Sequence, residues 1–70
     1  MRTVEITKQP VELFKILKFE GMVGTGGEAK LVIADGQVSV NGEVETRKRR
    51  KIVDGDNIEF AGESLHIRLA

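Results

Sequence analysis

Val4 and Ile6 alternate with Thr3, Glu5 and Thr7, the period of a half-buried strand. Pro10 then suits the first turn of a helix, where its missing N–H costs nothing, and Glu12 complements the positive end of the helix dipole. The spacing predicts a helix from Pro10 to Phe19. Leu13, Phe14 and Leu17 share one face, Ile16 and Phe19 widen the stripe, and Lys15 and Lys18 point away from its centre. Gly21 ends this helix. Thr25 and Glu28 have the spacing of a capping box and open a second one, whose apolar stripe is Ala29, Val32 and Ile33. The small Ala29 lets the two helices approach closely. Gly36, directly after Asp35, is the residue type that takes the positive φ of a helix end.

From Gln37 the period changes to two. Val38 and Val40 alternate with Ser39, and Asn41-Gly42 is a strong turn signal before Val44. A two-residue turn would set Val40 opposite Glu43, whereas a three-residue turn would set it opposite Val44; the apolar pairing favours the longer or bulged turn. Asp54-Gly55-Asp56 turns the chain. Ile58 and Phe60 then alternate with Asn57 and Glu59, Ala61-Gly62-Glu63 turns it again, and Leu65, Ile67 and Leu69 alternate with Ser64, His66 and Arg68. The expected architecture is α+β: a two-helix hairpin packed on one face of a small, mostly antiparallel sheet. Residues 1–70 read as a single domain, without an internal repeat, low-complexity segment or linker.

Composition narrows the chemistry. At 70 residues the chain buries about 60% of the surface that its unfolded form exposes, so the core is small. With 40% apolar and 31% charged residues it is too apolar to be a disordered tail. Cysteine is absent, which removes disulfides, thiolate nucleophiles and cysteine-ligated metals and suits an intracellular setting. The N-terminal residues lack the apolar core of a secretory signal, and no apolar run approaches a bilayer span. A soluble cytoplasmic protein is expected, with no membrane partner.

No catalytic constellation is legible. His66, the only histidine, falls on the polar face of the last strand without the partners that acid–base or metal work needs. Ser39 and Ser64 lack the setting of a nucleophile elbow. Asp54 and Asp56 flank a glycine, which turn chemistry explains better than cation binding, because the calcium-loop pattern is absent. The chain reads as a non-enzyme without cofactor, metal or small-molecule substrate.

Charge arrangement is more informative than net charge, which is zero. Arg47, Lys48, Arg49, Arg50 and Lys51 are consecutive and hold five of the eleven Lys and Arg residues. Such a run is either solvated or faces something anionic. In an extended chain Arg47, Arg49 and Lys51 would share one face and Lys48 and Arg50 the other, which no buried strand tolerates, so the run is an edge or a loop. Gly24-Thr25-Gly26-Gly27 at a helix start offers free amide donors and close approach, features that favour a phosphate, although simple capping explains the same residues. Lys30 lies one turn into that helix, and Lys18 closes the helix before it. If the hairpin packs beside the basic segment, these groups converge; if Lys30 and Arg49 point to opposite sides, the composite site fails. With no Tyr or Trp, and with Phe14 and Phe60 on core-facing positions, only Phe19 is left for base stacking. A nucleic-acid ligand would then be structured RNA held by its backbone rather than single-stranded bases.

The order of these features resembles the RNA-binding domain named after small-subunit ribosomal protein S4, whose helix-turn-helix and following strand form the αL motif. The likeness runs from Leu13 to Phe60: Leu13 and Leu17 in the first helix, Gly21 and the loop, Ala29 and Ile33 in the second. Gly36-x-Val38-x-Val40-Asn41-Gly42 and Val53-x-Gly55-Asp56-x-Ile58 complete it. Thr25-Gly26-Gly27-Glu28-Ala29-Lys30 with the later basic run looks like the small stand-alone bacterial members. Where many members place Ser followed by Arg or Lys, this chain has Thr25-Gly26. The resemblance implies binding of structured RNA, rRNA or tRNA, by the αL surface in ribosome or tRNA biology, alongside ribosomal or RNA-processing proteins. The candidate contacts are Lys18, Thr25, Gly26, Gly27, Lys30, Asn41, Arg47, Lys48, Arg49, Arg50 and Lys51. Two other readings compete. The same patch could dock an acidic protein, and Val-Asn-Gly followed by Asp-Gly-Asp also occurs in β-grasp sulfur carriers. Those carriers end in Gly-Gly, whereas this sequence ends Arg68-Leu69-Ala70.

Overall fold

Nine elements follow one another in the computed structural model, which describes residues 2–70; Met1, the first residue of the expected domain, lies outside the described residues. They are β1 (Arg2–Ile6), β2 (Val11–Glu12), α1 (Leu13–Phe19), α2 (Gly26–Ala34), β3 (Val38–Val40), β4 (Glu43–Val44), β5 (Lys51–Ile52), β6 (Asn57–Phe60) and β7 (Glu63–Leu69). Five strands form one sheet in the order β1-β7-β6-β3-β4, with β1 parallel to β7 and every other pair antiparallel. A second, two-stranded sheet joins β2 to β5.

Period-two alternation places Val4, Ile6, Val38, Val40, Ile58, Leu65 and Ile67 on the buried face of the main sheet, where the helices supply Leu13, Ile16, Leu17, Ala29 and Ile33. Val23 and Ile52 complete one apolar cluster. The two-helix hairpin on a mostly antiparallel sheet is thus the fold expected from the sequence.

Both helices end alike. The N–H of Met22 donates to Leu17 O and that of Gly21 to Lys18 O, while Gln37 donates to Val32 O and Gly36 to Ile33 O. These are Schellman closures, and they need the positive φ that Gly21 (+73°) and Gly36 (+80°) adopt.

The first helix is shorter than its pattern implies. Expected from Pro10, it begins at Leu13 because the backbone of Val11 and Glu12 pairs with Ile52 and Lys51 instead. Tertiary pairing overrides the helical preference of these two residues. Phe19 is 69% exposed and does not widen the apolar stripe. Six residues on from Leu13, at about 100° per residue, it has rotated well away from the stripe that Leu13, Ile16 and Leu17 form.

A second correction concerns the β3–β4 turn. Val40 pairs with Glu43 and Ser39 with Val44, so the loop is the two-residue one. Asn41 (φ 54°) and Gly42 (φ 84°) take left-handed conformations in succession, as this tight hairpin requires. The objection to a carboxylate opposite Val40 loses its force because β4 is an edge strand, with Glu43 and Val44 both exposed. Register is specified by burial, and β4 buries nothing. The same register carries Glu45 back to β3, where its N–H donates to Val38 O at 2.9 Å.

Candidate nucleic-acid interface

Loop 46–50 is built into the molecule by its backbone. An α-helix leaves its first amides without partners, and in α1 those of Leu13 and Phe14 donate to Arg50 O (2.9 Å) and Lys48 O (3.1 Å). Glu12, at the helix start, makes no side-chain cap. The cationic loop therefore supplies the cap of α1 through its own carbonyls, and its side chains are left to face outward. The N–H of Arg50 donates to Arg47 O at 3.2 Å, closing a turn within the run. That turn corrects the extended alternation: Arg47 and Arg50, which would lie on opposite faces of a strand, meet at the same carboxylate.

That carboxylate belongs to Glu45, whose side chain is 7% exposed. Oε1 accepts from the Arg47 N–H (2.8 Å) and from its Nε (3.1 Å); Oε2 accepts from Arg47 Nη2 (2.9 Å) and Arg50 Nη1 (3.0 Å). The hydrogen bonds from Arg47 outweigh burial and hold the Glu45 carboxyl at about 2, well below its ordinary 4.5, while the carboxylate raises the guanidinium of Arg47. Arg47 still exposes 75% of its side chain.

Phe14 is the centre of a second cluster. Its ring is partly buried against the core, and Lys30 Nζ lies 4.7 Å from the ring centroid, Arg49 Cζ 5.4 Å and Lys15 Nζ 5.9 Å. Cations at such distances are attracted to the ring's negative face. Their distances to the ring place Lys30 Nζ and Arg49 Cζ within about 10 Å of each other, roughly one Debye length. Glu12 tethers two of the three: Oε1 lies 3.2 Å from Lys15 Nζ and Oε2 3.1 Å from Arg49 Nη1. Those bonds, Arg49's first, lower the Glu12 carboxyl. Ala34, one turn beyond Lys30 on α2, lines a shallow concavity with Thr46 and residues 47–51, so the hairpin and the basic run do share a surface.

The α2 start has the expected cap. Thr25 Oγ1 accepts from the Glu28 N–H at 3.0 Å. The return bond differs by one residue, since Glu28 Oε1 accepts from Gly24 N–H (2.8 Å) and not from Thr25. Gly26 packs near Phe14: a methyl there would stand 3.9 Å from the ring and 4.0 Å from Lys18 Cδ. The glycine start, Lys18, Phe14 and Lys30 are therefore contiguous. Asn41 sits elsewhere, in the β3–β4 turn, where Nδ2 donates to Asp56 Oδ1 (3.0 Å) and Oδ1 accepts from Asn57 N–H (2.9 Å).

Glu45, Glu12, Lys15 and the cation-facing side of Phe14 were not among the sequence candidates. Glu45 was legible in principle: accepting the two-residue turn puts it back on the buried face, two residues before Arg47. Among the described residues no His, Asp and Glu side chains gather in a group that could hold a metal, and no helix is long and apolar enough to cross a membrane.

The helical hairpin, the strand β3 that follows it and the cations between hairpin and basic loop define an αL-motif domain. The S4 domain profile matches residues 4–68, and the chain belongs to that family. It is 52% identical over 68 residues to YbcJ of Escherichia coli (strain K12), a provisionally named RNA-binding protein, covering 96% of this chain and 97% of YbcJ. The solution structure of YbcJ, described as revealing an αL motif involved in RNA binding, superposes with a TM-score of 0.74 at 51% identity, covering 97% of this chain and 87% of that one. RlbA of Bacillus subtilis (strain 168), provisionally named a ribosome maturation protein, is 32% identical over 59 residues, covering 84% of this chain and 83% of RlbA.

Proposed function

We propose that this chain is a non-enzymatic RNA-binding domain that grips the phosphate backbone of folded RNA, of the rRNA or tRNA class, in the cytoplasm. The observation that carries this reading is the gathering of Lys30 and Arg49 on the Phe14 ring, beside a loop of further cations, in a chain whose net charge is zero. Membership of the S4 domain family and likeness to YbcJ support it.

Arg47, Arg49 and Arg50 offer planar guanidinium groups that match phosphate oxygens, and Lys18, Lys30, Lys48 and Lys51 act as point charges. The Gly26 and Gly27 amides at the start of α2 seat a further phosphate under the cap made by Thr25. Asn41, in its separate turn, makes a peripheral contact. Phe19 is too isolated an aromatic to grip a single strand, so shape and backbone are read rather than splayed bases.

The test is direct binding of the chain to purified ribosomal RNA, to bulk tRNA and to single-stranded poly(U) of matched length. Tighter binding to a folded RNA than to poly(U), weakened by Arg49→Ala and Lys30→Ala, is expected. Equal binding to all three and indifference to both substitutions would overturn the reading, and cellular partners that survive ribonuclease treatment would point to an acidic protein instead.

A further inference from the structure

We infer that Glu45 is a positioning residue of the RNA-binding surface: its buried carboxylate fixes Arg47 and Arg50, and through them loop 46–50, in the presenting conformation before RNA arrives. The inference rests on the RNA-binding reading for its effect on affinity and on geometry alone for its effect on the loop.

Glu45 is the charged residue buried in the described structure. Its N–H is tied to Val38 O of β3, in the main sheet, and its two oxygens take four hydrogen bonds from Arg47 and Arg50. The carbonyls of Lys48 and Arg50 are in turn bound to the first amides of α1. The basic loop is therefore pinned from both sides, by a carboxylate anchored in the sheet and by the end of a helix. Five consecutive cations repel one another and, unpinned, would favour an extended, mobile segment.

Net charge and geometry make opposite demands here. A carboxylate beneath a cationic surface weakens the long-range attraction for a polyanion, so on charge alone its removal strengthens RNA binding. Ordering a free loop on binding costs conformational entropy, a cost that a loop already ordered avoids. Geometry predicts that removing the carboxylate weakens binding although the protein becomes more positive.

Two substitutions test this. Glu45→Gln removes the charge with little change of shape. Arg47→Lys keeps the net charge and loses the forked grip on Glu45, and as an exposed side chain Arg47 tolerates the change should the glutamine variant unfold. For each, backbone relaxation and amide exchange over residues 46–50 are measured in the free protein, and affinity for purified ribosomal RNA is measured below the thermal transition. Each variant is expected to gain fast motion in the loop and to bind about tenfold more weakly. In the double variant the two losses should not add, because both break one linkage, and Glu45→Asp should recover part of the loss. A Glu45→Gln protein with an unchanged loop and equal or tighter RNA binding would overturn the inference. Failure of the wild-type chain to bind RNA would overturn the functional reading instead, and the relaxation data alone would then decide whether Glu45 orders the loop.

Discussion

Arg49 Nη1 lies 3.1 Å from Glu12 Oε2, a carboxylate 37 residues earlier in the chain, and the same guanidinium rests on the ring of Phe14. The pair joins the basic loop to the start of α1 by side chains, where the carbonyls of Lys48 and Arg50 already join them by backbone. Unlike Glu45, Glu12 is on the surface, so an RNA phosphate can take its place on Arg49. On the proposed reading the two carboxylates of the site differ in role: Glu12 competes with the phosphate for Arg49, and Glu45 orders the loop that meets it.

Glu12→Gln should accordingly strengthen RNA binding. Exposed ion pairs are worth about 0.2–1 kcal/mol, which corresponds to an affinity rise of up to about fivefold. Titration of wild type and variant with the same RNA at fixed salt checks it; a loss of affinity would mean that Glu12 orients Arg49 and does not compete for it.

Phe14→Leu keeps an apolar side chain against the core and removes the ring on which Lys30, Arg49 and Lys15 rest. Each cation–ring contact near the surface is worth about 0.5–1 kcal/mol, so the cations should disperse and RNA affinity should fall several-fold, with a smaller change in thermal stability. Binding isotherms alongside thermal melts separate the two effects.

Gly26→Ala tests the α2 start. The added methyl would stand at ordinary contact distance from Phe14 and Lys18, and Gly26 is helical with no need for positive φ. Loss of backbone freedom in the unfolded chain should raise stability by about 0.4–1 kcal/mol. Crowding beside the Gly26 and Gly27 amides should lower RNA affinity at the same time. A more stable protein with unchanged affinity would show that no phosphate sits there.

Stability should carry the signature of Glu45 at acid pH. Its carboxyl, lowered from 4.5 to about 2 on folding, contributes stability that is complete above the unfolded value and is lost as pH falls through the folded one. At about 1.36 kcal/mol per pH unit, the contribution is about 3 kcal/mol. Denaturant unfolding of wild type and Glu45→Gln should differ most near neutrality and converge as pH approaches 2; a constant difference across that range would contradict the ion-pair origin.

Much of the fold was legible because local signals and tertiary demands agree. Thr25 caps α2, Gly21 and Gly36 end the helices, and the alternation around Ile58, Leu65 and Ile67 marks buried strands. Where they disagreed, the pattern misled. Val11 and Glu12 look helical after Pro10, but the partner that extends them, Lys51–Ile52, lies far along the chain. Asn41-Gly42 carries the correct turn chemistry, and the apolar pairing that argues for a longer turn is one that an exposed edge strand does not need. That one step hid Glu45, since the longer turn removes it from the buried face. The candidate site was legible as cations near a glycine-rich helix start. Its organisation was not, because the meeting of Lys30 and Arg49 on Phe14 depends on how the hairpin seats against the loop.

The most direct measurement is the affinity of the chain for a folded RNA as a function of salt, repeated for Lys30→Ala and Arg49→Ala. If the Phe14 cluster and the basic loop neutralise phosphates, log K falls linearly with log salt, by about 0.7 to 0.9 per phosphate engaged, and each substitution flattens the slope by roughly one such increment. An affinity indifferent to salt, or a slope that neither substitution changes, would contradict phosphate recognition by this surface.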